Sequence, residues 1–176
     1  MHNFSDMIST SFYSFKHEIE YKEQQISQEM QTSGATINIH CLRSFNYSRL
    51  FYIIGIFSAL EARLQRLFSI DSDQYSFDNN STTNNKLKTY LNSLGKEGLW
   101  LEFDLYYLAI NVLKHGQGRS YDQLIREDEL PFEIKRPNAF FCEGDVSEID
   151  VFIKVDNNFM ENCHRIIQEI CALLKI

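Results

Sequence analysis

The feature that most constrains the fold is the stretch of residues 44–69, which contains the run "LFYIIGIFSALEARLQRLF". Its centre is apolar almost all round, and such a helix is normally buried in the middle of a domain. Glu61 and Arg63 interrupt the run before it is long enough to cross a bilayer, so we expect a soluble, cytoplasmic protein with no membrane partner. Gly55 costs about 1 kcal/mol relative to alanine in a helix, which indicates a bend or the close approach of another helix.

Helical periodicity recurs along most of the chain. Apolar side chains at spacings of three and four predict long helices over residues 4–30, 98–115 and 157–175. A short helix "KLKTYLNSL" ends at Gly95, and Ser120 with Gln123 predicts a capping box for another, "YDQLIRE". Only two prolines and seven glycines interrupt 176 residues. The sequence therefore predicts an all-α bundle of four to five helices, forming a single domain over residues 1–176.

Three segments depart from this pattern. Residues 70–85 are rich in asparagine and serine, which is typical of a mobile loop. Residues 131–155 carry proline and alternating β-branched residues, which predicts a small β-like insert. The stretch "TINIHCL" is compatible with a short strand or an extended connection.

The formal net charge of −7 argues against extended coating of DNA, which usually requires a basic face. A local basic pocket is still compatible with that total. The four cysteines form no C-x-x-C pair and combine with no histidine in a zinc spacing. We therefore expect reduced, buried thiols, no metal and no cofactor.

The end of the helix over 98–115 carries the strongest candidate site, in the run "INVLKHGQG". Asn111 and His115 are one turn apart and share a helix face. An imidazole titrates near neutrality, so His115 can take a proton from a hydroxyl and return one. Asn111 can orient the imidazole or hold a phosphate oxygen, and Lys114 and Arg119 can stabilise charge on a phosphoryl group. These groups suffice to cleave RNA without a metal.

The same residues also fit an ordinary helix end. Cationic side chains such as Lys114 and His115 favour helix C-termini, and glycine often follows as the cap. Glu61 has two interpretations as well. It orients His115 or a cation of the site, or it pairs with a nearby arginine, a backbone group or water.

Two further sets of side chains are weaker candidates. Lysines near the asparagine-rich segment can line an RNA groove, although solvated surface is the better explanation. Aromatic residues of the two apolar helices can stack on bases, but their spacing favours a core or a dimer interface. The lysines are Lys86, Lys88 and Lys96, and the aromatic residues are Phe45, Tyr47, Phe51, Tyr52, Tyr106 and Tyr107.

The run "INVLKHGQG" on a late helix, together with the earlier helix containing "FSALEARLQRLF", resembles the HEPN superfamily over roughly residues 44–125. That resemblance implies an all-α bundle, usually a homodimer, and often a metal-independent ribonuclease of toxin–antitoxin or antiviral defence systems. Asn111 and His115 match the asparagine and histidine of the family's pattern. Its arginine falls on Ile110, which cannot bind a phosphate.

Two hypotheses follow from these residues and from the resemblance. The first is a HEPN-like ribonuclease with RNA as substrate, in which His115 is the acid and base, Asn111 and Lys114 assist it, and Arg119 binds phosphate. The second is a catalytically inactive HEPN-like module for dimerisation, protein interaction or nucleotide sensing. Both predict a homodimer, and an antitoxin or another partner protein fits either.

Overall fold

The computed structural model describes residues 3–30, 36–70, 81–137 and 151–176, with side chains assigned for all but 30, 36–43 and 70. The described residues form six helices. They are α1 (Phe4–Met30), α2 (Thr36–Ile70), α3 (Thr83–Ser93), α4 (Glu97–His115), α5 (Arg119–Leu124) and α6 (Asn157–Leu174). The all-α prediction is confirmed for this part of the chain, and none of its helices is long and apolar enough to cross a membrane.

The chain divides into two compact units, whereas the sequence predicts one domain. The terminal unit comprises Met1–Ile53 and Glu129–Ile176, and the central unit comprises Ile54–Asp128.

In the terminal unit, α1 packs along α6. The predicted apolar face of α6 is confirmed, because all eight of its residues are buried: Phe159, Met160, Cys163, Ile166, Ile167, Ile170, Cys171 and Leu174. Asp156 caps the start of α6, where its carboxylate accepts a hydrogen bond of 2.8 Å from the backbone N–H of Phe159. Cys163 and Cys171 are buried thiols that form no disulfide within the described part of the chain, as the sequence predicts.

In the central unit, α4 packs against both α3 and α5. The α4 stripe predicted from the sequence supplies much of the core, since Leu99, Phe103, Tyr106 and Ile110 are buried and Leu113 is half-buried. The Thr82 hydroxyl caps α3 by accepting from the backbone N–H of Asn85. This packing fixes the direction of α4 and so places its C-terminal end.

Two local predictions are wrong. The segment "TINIHCL" is neither strand nor extended, because α2 begins at Thr36 and includes it. Extending an existing helix adds one hydrogen bond for each residue fixed, so the strongly helical stretch that follows outweighs the short alternation. Ser120 does not cap a helix either, since α5 begins at Arg119, two residues before the predicted start, with Gly118 at its N-cap and no side-chain cap bond.

Among the described residues of the β-like insert predicted over 131–155, an isolated antiparallel bridge joins Ile134 and Ile153 and no strand is formed. Residues 138–150, within the same prediction, lie outside the described residues. The mobile loop predicted over 70–85 falls mainly on residues 71–80, which also lie outside them, while Thr83 already begins α3.

Candidate functional site

The last turn of α4 ends through the backbone of Gly116. This glycine has φ 74°, and its N–H donates to the carbonyl of Val112. A positive φ is easily reached only without a Cβ atom, so glycine is suited to this position. The helix end therefore does not require the His115 side chain as a hydrogen-bonding cap. The His115 imidazole is exposed and has no hydrogen-bond or ion-pair partner among the described residues.

Asn111 and Lys114 lie beside His115 on α4, and both are half-buried. The ammonium Nζ of Lys114 is 4.0 Å from Oε2 of Glu61 on α2. The side chain of Glu61 is itself half-buried, so water and ligands can still reach this pair. Of the two interpretations of Glu61, the geometry matches contact with a cation of the candidate site, not pairing with Arg63 or Arg66.

Tyr107 is a member of the site that its helical spacing had assigned to core or interface. Its hydroxyl donates to Oε1 of Glu61 over 3.1 Å, so the two carboxylate oxygens serve different partners. Burial raises the pKa of Tyr107, and the charge and hydrogen bond of Glu61 raise it further. Hydrogen bonds from the side chains of Asn111 and Asn84 oppose that rise in pKa. Tyr107 therefore links α4 to Glu61 of α2.

The other predicted residues lie around this network without joining it. Arg119, the first residue of α5, is exposed and has no ion pair among the described residues. Ile110 is completely buried, at 0% exposure. The position at which the HEPN pattern has an arginine is therefore part of the hydrophobic core in this chain.

The lysine and aromatic candidates are dispersed. Lys88 lies over the ring of Trp100, with Nζ 5.8 Å from its centroid. The positive charge of Lys88 also partly offsets the burial that raises the pKa of Asp104. Tyr106 is buried, and Tyr52 stacks on Phe15 at 4.1 Å, so neither ring is open to a base.

A second polar cluster, which the sequence patterns did not reveal, surrounds Arg49 on α2. Its guanidinium is buried at 6% exposure and donates to Glu23 at 2.7 Å and to Asn157 at 3.1 Å. Its Nε atom is buried without a hydrogen-bond partner in the described part of the chain. The signal in the sequence was an arginine directly before the most apolar run.

His164 on α6 is a packing residue that sequence reasoning also missed. Its ring stacks on Phe12 of α1, with centroids 4.2 Å apart and planes 3° apart. The Ser9 hydroxyl lies 3.4 Å from its Nε2 atom, and burial lowers the pKa of the imidazole. The signal that could have found it is its position directly after Cys163, at the border of the apolar face of α6.

The described residues contain no group of three or more His, Cys, Asp or Glu side chains placed to hold a metal ion. The arrangement at the end of α4 instead offers an exposed imidazole, an amide and a half-buried ammonium, and the exposed Arg119 follows four residues after His115. Together these groups can bind an anionic ligand and exchange a proton with it. No protein-family model, curated protein or solved structure matches the chain.

Proposed function

We propose that this protein is a HEPN-like, metal-independent ribonuclease that acts as a cytoplasmic homodimer, with His115 as its acid–base group. The observation that carries the proposal is the exposed His115 imidazole beside half-buried Lys114 and Asn111 at the end of α4. An imidazole sealed in the core would be unavailable to a substrate. Toxin–antitoxin or antiviral defence is the corresponding biological role, with an antitoxin as a candidate partner.

In the proposed reaction, the neutral imidazole takes the proton of a ribose 2′-hydroxyl while that oxygen attacks the adjacent phosphorus. The bond from phosphorus to the 5′-oxygen breaks, and a protonated imidazole, from His115 of a second copy, gives the leaving oxygen its proton. The products are a 2′,3′-cyclic phosphate and a free 5′-hydroxyl. Lys114 and Arg119 stabilise the charge that accumulates on the phosphoryl oxygens.

The test is cleavage of single-stranded RNA by purified protein in excess chelator, with His115→Ala as the diagnostic variant. Loss of acid–base catalysis typically costs about 10²–10⁴-fold in rate. His17→Ala is the matched control, because His17 is an exposed histidine on α1. Intact RNA with the wild-type dimer, or equal cleavage by His115→Ala, would rule out this function. Light scattering that shows only monomer at working concentration would rule out the dimer.

A second candidate, an inactive HEPN-like interaction or nucleotide-sensing module, is favoured by one specific observation. Ile110 is fully buried, so no arginine can reach a phosphate from its position, and Glu61 lies against Lys114. Wild-type protein that dimerises or binds nucleotide but leaves RNA intact would support this candidate. Substituting Ile110→Arg does not test it, because a charge placed in the core is expected to destabilise the fold.

A further inference from the structure

Asp104 on α4 is a half-buried carboxylate that makes no hydrogen bond or ion pair with any of the described residues. Taking a carboxylate out of water is unfavourable unless hydrogen-bond donors replace the water that is lost. Burial accordingly raises the pKa of Asp104, although the positive charge of Lys88 opposes the rise. A carboxylate in such surroundings is a candidate for direct contact with a ligand.

Lys88 on α3 places an ammonium group beside this carboxylate. Its Nζ atom lies 5.8 Å from the centroid of the Trp100 ring, where the face of the ring attracts a cation. Trp100 is one helical turn before Asp104, so the two side chains share a face of α4. Lys88 nevertheless forms no direct ion pair with Asp104. An ammonium and a carboxylate therefore lie side by side, and both can still contact a ligand.

This pair of charges is complementary to the Watson–Crick edge of a base, which proteins read in single-stranded RNA. The ammonium only donates hydrogen bonds, and the two oxygens of an ionised carboxylate only accept them. Every base offers at least one acceptor and one donor along this edge. Guanine alone offers the acceptor O6 followed by two adjacent donors, N1–H and N2–H. Only guanine can therefore occupy both carboxylate oxygens while it accepts from the ammonium.

We infer that Asp104 and Lys88 form a subsite for guanine, in which Asp104 accepts from N1–H and N2–H and Lys88 donates to O6. The inference rests on the proposed function, because the base belongs to an RNA strand, and it goes beyond that function by giving the strand a sequence preference. Asp104 lies about 16 Å before His115 along α4, at the helical rise of about 1.5 Å per residue. The subsite therefore selects the strand and takes no part in the chemistry at His115.

The experiment compares two RNA strands that differ in a single amino group. Both are uridine strands with one central replacement, which is guanosine in one strand and inosine in the other, and inosine lacks only the N2 amino group. Binding is measured by fluorescence anisotropy in the His115→Ala background, so that the RNA stays intact. We expect the guanosine strand to bind about tenfold more tightly, the size of one hydrogen bond to a charged group.

Asp104→Asn is the diagnostic variant, because an amide keeps the shape of the carboxylate but has only one accepting oxygen. It is expected to reduce the preference for guanosine to below about twofold. Loss of the negative charge alone would change the affinity for both strands equally, so the ratio of affinities reports the contact with the base. Asp122→Asn, at an exposed aspartate on α5, is the matched control and should leave the ratio unchanged. Asp104→Ala removes both oxygens and gives the same test if Asp104→Asn does not fold.

Lys88→Met tests the other half of the subsite. It should weaken binding of both strands by a similar factor, because guanosine and inosine share O6. Unchanged binding of both strands by this variant would remove Lys88 from the subsite. A preference for guanosine that survives the Asp104 substitution, or no preference in the His115→Ala background, overturns the inference.

Failure of the inference and failure of the ribonuclease proposal give different results. Wild-type protein that cleaves RNA while the His115→Ala variant binds both strands equally leaves the ribonuclease and removes the guanine subsite. Wild-type protein that leaves RNA intact, combined with a guanosine preference that Asp104→Asn abolishes, does the reverse.

Discussion

Arg49 and Glu61 are both charged residues of α2, one in each unit, and their surroundings differ. Arg49 is sealed, at 6% exposure, against Glu23 of α1 and Asn157 of α6. Glu61 is half-open, and its two oxygens contact a tyrosine and a lysine that water can still reach. A buried charge with fixed partners holds helices together, whereas a partly exposed charge leaves its partners available to a ligand. The sealed cluster is therefore expected to govern stability and the open one to govern binding.

The largest expected effect is a fall in the free energy of unfolding when the cluster around Arg49 is disrupted. Arg49→Ala leaves the Glu23 carboxylate and the Asn157 amide without their partner, and it also removes the packing of the arginine stem. We expect the free energy of unfolding, measured by urea denaturation, to fall by roughly 2–3 kcal/mol. Arg63→Ala, an exposed arginine on the same helix, should change it by less than about 0.5 kcal/mol. Equal effects of the two substitutions would remove the distinction between the clusters.

The next largest effect on the free energy of unfolding is expected at Gly55, the second residue of the central unit. The sequence predicts a bend or a close helix there, but an added Cβ would meet nothing within 4 Å. Gly55→Ala should therefore raise the free energy of unfolding by about 0.5–1 kcal/mol, through helix propensity and a less flexible unfolded chain. A decrease that depends on protein concentration would show instead that a second copy packs on this face.

His164 extends the comparison to the pH dependence of stability. Burial lowers the pKa of His164 in the folded protein, so below about pH 6.5 the unfolded chain binds more protons than the folded one. Stability is then full above the unfolded pKa and is lost as the pH falls toward the folded pKa, by at most about 1.4 kcal/mol per pH unit for a single group. His164→Phe keeps a ring on Phe12 and should flatten this part of the profile. Identical profiles for wild type and His164→Phe would contradict the assignment.

The smallest effect on stability is expected for the open cluster. Glu61→Gln removes the charge near Lys114 but keeps an oxygen that can accept from Tyr107. Partly exposed ion pairs contribute little, so unfolding should change by less than about 0.5 kcal/mol. Affinity for RNA should rise by about twofold to fivefold, because a repelling charge is lost and Lys114 is released. The control is Glu97→Gln, on the exposed first turn of α4, which should leave the affinity for RNA unchanged. Weaker RNA binding by Glu61→Gln would count against the arrangement proposed for the site.

Periodicity predicted the helices well because burial repeats with the helical turn. All eight apolar positions proposed for α6 are buried, and the bounds of α1 agree with the prediction. The beginning of α2 was missed because seven alternating residues carry a strand-like signal that helix propagation outweighs. Local patterns are short, and the free energy that decides between them comes from neighbouring turns and from packing.

The site was predictable only along one helix. Asn111, Lys114 and His115 follow from their spacing on α4, and Tyr107 could have been added, since it lies one turn before Asn111. Its partner Asn84 could not, because it lies on α3, and nothing in the spacing indicates which side chains α3 brings to α4. The pairing of Glu61 with Lys114 depends on the packing of separate helices in the same way.

The bridge between Ile134 and Ile153 has a consequence for protein engineering. Reciprocal backbone hydrogen bonds join the flanking residues, from Lys135 to Phe152 at 2.8 Å and from Lys154 to Glu133 at 3.1 Å, so the intervening chain leaves and returns at one place. Each doubling of such a closed segment costs only about 0.6 kcal/mol. Lengthening the chain between Lys135 and Phe152 is therefore expected to lower the free energy of unfolding by only about that amount, which urea denaturation of an insertion variant would check.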